Sequence, residues 1–424
     1  MNKSIKKLLK ICLVSILLCS LVFATVAICD DNNNNINPNS SKTIKDDFGL
    51  NISVPTENIK ITPTGPLAQM IIYSIDPTVF GALSSKLGGK KYINTTGVSN
   101  LEEYGRIIGG KDRKTNIEKI VNSSTNLIVD IGEDDVKSNL EELSKSTKIP
   151  VFHIRLNDMS NTSIKHVYDK LSEILPNRKE KCSELSNYLF TVVSEYESSL
   201  KNINTKKSMI YVPECDGNSI NLLGTGTIHS KIIDEISNNI APQAKNHGGF
   251  GDEYSIEKIL KITPDYIIVA PNEDDSHNSY NSVLKEPKFK DFPAIKNKNV
   301  YEAPAYPYNW MGMPPSIQRV LSMIWLSHLM YPEVYGDKDD MKSKIMEFYE
   351  KIFHYNLSDT EYKELMVNSI PTTLSSSDVN ITNNKKGEPT GGVGTENKKE
   401  ESPAPIMGLL CGVLIIVGLL QRRS

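Results

Sequence analysis

Tryptophan is scarce in this 424-residue chain, with two copies, and cysteine is little better represented, with six. Four of the six (Cys12, Cys19, Cys29 and Cys411) lie in or beside apolar end segments, so only Cys182 and Cys215 remain for a folded body. Two cysteines make at most one disulfide, which excludes a disulfide-framework fold. A basic excess is missing too. The 48 Lys+Arg against 51 Asp+Glu leave a net charge of −3, which excludes the positive field of a nucleic-acid binder. The common catalytic motifs are also absent: no Gly-x-Ser-x-Gly elbow, P-loop, His-Glu-x-x-His, or dinucleotide fingerprint opening a first strand–helix unit. Gly224-Thr225-Gly226-Thr227 is the nearest Gly-rich stretch, and it lacks a following Gly or Lys at the required spacing. No enzyme class is indicated, although an exported α/β enzyme stays open as an alternative because fold alone does not decide function.

Long apolar runs occur only at the ends. Lys3, Lys6, Lys7 and Lys10 precede the apolar run 11–28, with Ala24 and Ala27 near its close. That is the pattern of a secretory signal peptide, an uncleaved anchor being the other reading. Cys29 suggests lipidation, but Ile28 stands where a small residue is wanted. The second run, 406–420, precedes Arg422 and Arg423. It is short for a bilayer that takes about 20 residues, while the trailing arginines favour a cytoplasmic end. It reads as a transmembrane anchor or a sorting tail, and either leaves the bulk of the chain outside the cell. Sequons at Asn51, Asn94, Asn122, Asn161, Asn356 and Asn380 agree with export. Polar stretches near both ends bury too little apolar surface to offset the entropy of ordering. The resulting map is a signal peptide (1–28), flexible linker (29–55), N-terminal lobe (56–160), connector helices (161–205), C-terminal lobe (206–362), low-complexity stalk (363–404) and anchor or sorting tail (405–421). Balanced charge between stalk-like flanks predicts a soluble, monomeric body over 56–362.

Within that body the chain repeats itself. Ile117-Glu118-Lys119-Ile120 leads through Asn126-Leu127-Ile128-Val129 to Asp134-Asp135, and Ile256-Glu257-Lys258-Ile259 leads through Asp265-Tyr266-Ile267-Ile268 to Asp274. The copies align without a gap, and the same offset pairs Gly109-Gly110 with Gly248-Gly249. Each copy reads as a short amphipathic helix, a turn and a buried strand, so Ile128 and Ile267 are predicted on equivalent central strands. Met70-Ile71-Ile72-Tyr73 and Val151-Phe152-His153-Ile154 are predicted as strands flanking the first copy. Met209-Ile210-Tyr211-Val212 and Val300-Tyr301 are predicted to flank the second. Between the halves, Cys182, Leu185, Leu189, Val192, Tyr196 and Leu200 recur at three- and four-residue spacing after the break at Pro176-Asn177. The predicted architecture is α/β, two Rossmann-like lobes with mainly parallel sheets joined by one long connector helix.

These residues resemble the substrate-binding proteins of iron-chelate and cobalamin ABC importers, the group whose lobes are joined by one long helix. The resemblance covers about residues 59–335. It rests on Ser255-Ile256-Glu257-Lys258-Ile259-Leu260 with Thr263-Pro264-Asp265-Tyr266-Ile267-Ile268, on Phe292-Pro293-Ala294-Ile295 through Val300-Tyr301, and on Trp325-Leu326 through Tyr331-Pro332-Glu333. It implies an extracytoplasmic, membrane-tethered receptor without turnover or cofactor, delivering a small-molecule metal chelate to an ABC permease and its ATPase. The ligand implied is a ferric siderophore, corrinoid or haem; the alternative is molybdate, tungstate or a nickel chelate. Such receptors carry a surface Glu on each lobe for the permease. Asp234 and Glu235 stand near that place in the second lobe, while the segment Asp76-Pro77-Thr78-Val79 of the first offers only an Asp.

Ligand contacts are expected from loops at the strand ends. Tyr306, Tyr308, Asn309 and Trp310 follow the strand Val300-Tyr301 in a Pro- and Gly-rich stretch, and aromatic faces stack on bulky ligands. Core packing is the plainer role for any one of them. Arg155 shares a strand face with His153 and is expected to meet an anionic ligand, whereas His153 itself reads as a hydrogen-bonded core residue. His229 and His247 lie in Gly-containing loops, without metal-ligand spacing, and the metal site stays unspecified. Met311 and Met313 flank Gly312 where some relatives carry an Arg, which favours an apolar chelate over an oxyanion.

Overall fold

The computed structural model describes residues 40–88, 90–105, 117–158, 160–227, 229–246, 248–271, 278–312 and 316–371. Both apolar end runs and Gly109-Gly110 lie outside them. Among the described residues no helix is long and apolar enough to cross a membrane.

The body opens on a hairpin, β1 (Ser41–Lys45) and β2 (Asn51–Pro55), paired antiparallel with Ile44 opposite Ile52. This corrects the reading of 29–55 as a linker throughout. Asp46 Oδ1 accepts from the amides of Phe48 and Leu50, Gly49 turns at φ +81°, and Ile44 and Val54 are buried. A tight Asx-type turn and a small apolar face give the segment a reason to order.

The first lobe follows: β3 (Ile61–Pro63), α1 (Pro66–Ile75), α2 (Ile117–Val121), β4 (Leu127–Gly132), α3 (Lys137–Thr147) and β5 (Val151–Arg155). Its sheet is parallel in the order β3-β4-β5, with Thr62, Ile128 and Val151 in register. Met70-Ile71-Ile72-Tyr73 lies in α1 and is not a strand. Pro66 starts the helix at N1, and nine of its ten residues are buried, so no polar face marks the 3.6-residue period.

Next come α4 (Asn161–Ile174) and the connector α5 (Lys179–Leu200), whose 22 residues span about 33 Å. The predicted stripe is its buried face from Cys182 to Tyr196. Cys182 and Cys215 are both free and buried.

The second lobe contains β6 (Ser208–Val212), β7 (Glu214–Cys215), β8 (Ser219–Leu222), α6 (Lys231–Ile236), β9 (Asn238–Asn239), β10 (Asp252–Ser255), α7 (Ile256–Ile259), β11 (Tyr266–Val269), α8 (Ser279–Lys285), α9 (Pro293–Lys296) and β12 (Val300–Glu302). Its main sheet is parallel, β12-β11-β6-β9, with Ile210, Ile267 and Val300 in register. Ile128 and Ile267 thus occupy equivalent central strands, each between an earlier and a later neighbour. A small antiparallel sheet, β10-β8-β7, sits beside it.

Four more helices complete the body: α10 (Arg319–Met330), α11 (Pro332–Tyr335), α12 (Lys338–Phe353) and α13 (Asp359–Leu365). The body extends past 362, correcting the predicted start of the stalk. Tyr362, Leu365 and Met366 are buried, Ser369 Oγ donates to the Glu302 carbonyl at 2.7 Å, and Trp325 Nε1 donates to Ser369 O at 2.7 Å. Capping boxes at Asp337/Asp340 and Ser358/Glu361 start α12 and α13.

One hydrophobic cluster runs through both lobes, taking in Ile71 and Phe152 of the first, Leu189 of the connector, and Met209, Trp325 and Phe353 of the later elements. Helix α12 packs on both α1 and α10, so the lobes are tied by more than the connector. Swinging them apart would expose close-packed apolar surface. Ligand binding is therefore expected to leave the radius of gyration unchanged within error in small-angle scattering; a clear contraction would contradict the rigid arrangement.

Candidate functional site

The lobes meet through loops at the carboxyl ends of their parallel strands. From the first lobe come the start of α1, after β3, and the segments 84–88 and 90–92; from the second comes the segment 303–312, after β12. Ser316 Oγ donates to Leu67 O at 3.3 Å, and Ser85 Oγ lies 3.4 Å from Tyr308 OH. Gln69 organises the first-lobe side. Its Oε1 accepts from the Ser84 and Ser85 amides, and its Nε2 donates to Ser85 O at 2.9 Å.

Two lysines and three tyrosines gather where these loops meet, with Tyr306 and Lys91 exposed at the rim and Tyr92 and Tyr308 buried behind them. Lys90 Nζ stands 4.4 Å from the Tyr308 ring centre, and Lys91 Nζ stands 5.1 Å from that of Tyr306. Tyr92 meets Tyr306 edge-on at 5.8 Å and donates its hydroxyl to Glu364 at 3.0 Å. Burial pushes the Tyr308 hydroxyl up to about 12, against the opposing hydrogen bonds of Ser85 and Gln69. Burial, followed by the Glu364 carboxylate, also raises the Tyr92 hydroxyl, so both tyrosines are neutral donors at physiological pH. Tyr306 is 39% exposed and presents an open aromatic face.

A further aromatic projects from the second lobe. Phe250 is 73% exposed on the turn between Gly248 and Gly251. Gly251 has φ +69°, and a Cβ there would lie 2.3 Å from Leu222 O, so this turn is pressed onto the end of β8. Sequence reasoning missed Phe250, Lys90, Lys91 and Tyr92. An isolated Phe between glycines and a Lys-Lys-Tyr run carry no periodic signal.

The structure separates the predicted contacts. Tyr306 lies at the rim and Tyr308 shows it only an edge, with 5% of its surface exposed. Trp310 is fully buried: its ring packs 6.4 Å from both Trp325 and Tyr349, and its Nε1 donates to Tyr306 O at 3.1 Å. Asn309 is buried too, donating to Tyr211 OH at 3.1 Å and accepting from the Met311 amide at 2.9 Å. Both hold the loop from inside, which corrects their assignment as ligand contacts.

Arg155 is likewise engaged. Its Nε lies 2.8 and 3.0 Å from the Asp134 carboxylate oxygens, and its Nη2 donates to Asp47 O at 3.1 Å. It clamps the N-terminal hairpin to the end of β5. His153 is the core residue the sequence indicated, with Nδ1 2.7 Å from Asp130 and Nε2 3.1 Å from Asp134. His229 is half-buried just before α6, and His247 lies outside the described residues. Among the described residues no group of three or more His, Cys, Asp or Glu is placed to hold a metal ion.

Of the acids expected to dock a partner, Asp76 is 7% exposed and pairs with Arg178 at 2.7 Å. Burial acts to raise its pKa, but hydrogen bonds from Thr78 and Arg178 outweigh it and hold the carboxyl below its usual range. Asp234 is turned inward, accepting from Ser230 Oγ, the Gly226 amide and Asn239 Nδ2. Only Glu235, 4.0 Å from Lys231, has a half-exposed carboxylate.

Two parallel-sheet lobes on a long helix, with the exposed Tyr306 and Lys91 where their loops meet, define a two-lobed ligand-binding protein. Residues 90–307 match the family model described as periplasmic binding protein, and the chain belongs to that family. No curated protein sequence matches it. Among solved structures it is similar to an ABC transporter solute-binding protein from Sulfurospirillum deleyianum, at 23% identity over 77% of this chain and 99% of that one, with a TM-score of 0.66. It is also similar to a periplasmic solute-binding protein from Veillonella parvula, at 20% identity over 78% and 98% of the two chains, TM-score 0.61. A third is the molybdate periplasmic binding protein MolA of Haemophilus influenzae, at 16% identity over 75% and 99%, TM-score 0.56.

Proposed function

We propose that this protein is an extracytoplasmic, membrane-tethered receptor that captures a small metal chelate and passes it to an ABC permease and its ATPase. The family supports the receptor role, and the similar protein from Sulfurospirillum deleyianum is an ABC transporter solute-binding protein. The observation that carries the ligand class is the cleft rim, where the exposed face of Tyr306 stands beside Lys91 and Tyr92. Open aromatic faces suit a flat or bulky guest such as haem, a corrinoid or a ferric siderophore, and adjacent lysines suit one with acidic groups. A cleft with little closure requires a guest large enough to touch both walls unaided. Glu235 is the acid available for permease docking in the second lobe.

Native mass spectrometry of the protein from its own host tests the reading by the mass of the retained ligand. With haem, cobalamin, ferrioxamine and molybdate as probes, Tyr306→Ala is expected to weaken the bound probe at least about tenfold, since losing a contacting aromatic commonly costs ~1.4 kcal/mol or more. Phe250→Ala should act similarly. Both side chains are exposed, so melting temperatures should stay near wild type. Unchanged affinity in both variants would remove the rim from the site.

A further inference from the structure

The fold treats the Asn-x-Ser/Thr sequons of its described residues, Asn51, Asn94, Asn122, Asn161 and Asn356, very differently. Transfer of a sugar to such a site needs an Asn Nδ2 that can reach a transferase and a free hydroxyl two residues on, the two groups the sequon itself specifies. Asn161 meets neither need. Its Nδ2 donates to Ser194 Oγ of the connector at 2.7 Å, and Ser163 Oγ donates to Asp158 at 2.7 Å. Asn94 is half-buried. Its Oδ1 accepts from the Thr96 amide at 2.9 Å, while its own amide and carbonyl are tied to Phe353 O and Tyr73 OH. Asn356 is exposed between α12 and α13, but Ser358 Oγ is held 2.6 Å from Glu361 in the capping box of α13.

Asn51 and Asn122 are open at both groups. Asn51 and Ser53 stand either side of Ile52 on β2, so they share a face, and both are exposed. Asn122 occupies the turn after α2, and both it and Ser124 are exposed. Among the described residues no hydrogen bond engages any of these four side chains. Large apolar side chains are exposed beside both asparagines. Leu50, at 39%, precedes Asn51, and Val121, at 49%, precedes Asn122. Ile117, exposed too, stands one turn before Val121 on the same face of α2. Among the described residues β2 pairs with β1 alone, which leaves its other edge open to pairing with a foreign strand.

We propose that Asn51 and Asn122 carry N-linked glycans, which cover the apolar side chains beside them and blunt the open edge of the hairpin. The donor is a lipid-linked sugar phosphate. The Nδ2 of each asparagine forms a bond to the anomeric carbon of the sugar. The bond from that carbon to the phosphate oxygen breaks, its electron pair leaves on the lipid phosphate, and Nδ2 gives up one proton. A bulky, hydrated glycan beside Leu50 or Val121 keeps that surface from neighbouring chains. Glycosylation here requires export and does not depend on which ligand the cleft holds.

The test is glycopeptide mass spectrometry of the full chain isolated from the surface fraction of its own host. Trypsin releases Asn51 in the peptide 46–60, Asn122 in 120–137 and Asn161 in 156–165. The first two should carry a glycan mass, with sugar fragment ions on dissociation, and the third should be bare. Asn51→Gln and Asn122→Gln should each lower the intact mass by one glycan. Their melting temperatures should stay near wild type, since neither side chain is bonded. Finding 46–60 or 120–137 only in its bare form overturns the assignment of that asparagine. A glycan on 156–165 would show that the bonds of the folded chain do not select the site, which overturns the reasoning for both. If the surface protein is bare throughout, the glycans are wrong and the receptor reading stands; recovery from the cytoplasm alone would sink both.

Discussion

Trp310→Ala is expected to destabilise the whole body by about 3–5 kcal/mol, the usual cost of emptying a large aromatic site in a core. The indole is fully buried between Trp325 and Tyr349. Around it the loop is fixed by three bonds: its amide donates to Pro304 O, its Nε1 donates to Tyr306 O, and its carbonyl accepts from Ser322 Oγ. Truncation leaves a void where both lobes share one core, and it frees the Tyr306 carbonyl from one of its donors. Tyr349 OH still donates to that carbonyl, so the loop should loosen without being lost. Urea unfolding should show a large fall in midpoint at an unchanged slope, with Trp310→Phe in between. A midpoint near wild type together with a tenfold loss of ligand would return Trp310 to the cleft wall.

That contrast marks where sequence reading stopped. The repeat was legible because each half buries a strand on both faces, so Leu127-Ile128-Val129 and Tyr266-Ile267-Ile268 stand out as continuous apolar runs beside short helices. The connector was legible because one face of α5 is wet and the other buried. Helix α1 was not, since burial all round erases the period that tells helix from strand. The N-terminal hairpin was hidden for the opposite reason. Its strands expose every second residue and bury only Ile44 and Val54 deeply, so composition resembled the polar linker before it.

Site residues failed on a different ground. A Pro- and Gly-rich loop with Tyr306, Tyr308, Asn309 and Trp310 was correctly seen as shaped, but composition does not say which side chains shape it and which it displays. Tyr306 is displayed, while Asn309 and Trp310 face inward because their polar atoms find partners there, Tyr211 OH for the amide and Tyr306 O for the indole. Arg155 was misjudged because its partners, Asp47 and Asp134, lie 108 and 21 residues away. Ion pairing across that separation leaves no local pattern.

Asp130→Ala is expected to cost about 3–5 kcal/mol as well, because it strips one partner from a buried charged network. Asp130 is 3% exposed, accepts from Thr64 Oγ1, and lies 2.7 Å from His153 Nδ1, while His153 Nε2 lies 3.1 Å from Asp134. The Phe48 ring stacks on His153 at 4.0 Å, so the network also seats the N-terminal hairpin. Desolvation acts to lower the His153 pKa, but the hydrogen bonds and charges of Asp130 and then Asp134 outweigh it, and the pKa is raised above 6.5. A raised histidine stabilises the fold fully below its unfolded pKa of about 6.5, and this contribution disappears as pH rises through the folded value. Wild-type stability should therefore decline from slightly acid toward mildly alkaline pH. In Asp130→Ala most of that slope should vanish along with the stability, and amides over 41–55 should exchange faster with solvent as the hairpin loosens. Urea unfolding of both proteins across pH 5.5–8.5 (roughly one unit below the reference value to two above) makes the comparison. Parallel pH profiles in the two proteins would show that His153 does not carry the dependence.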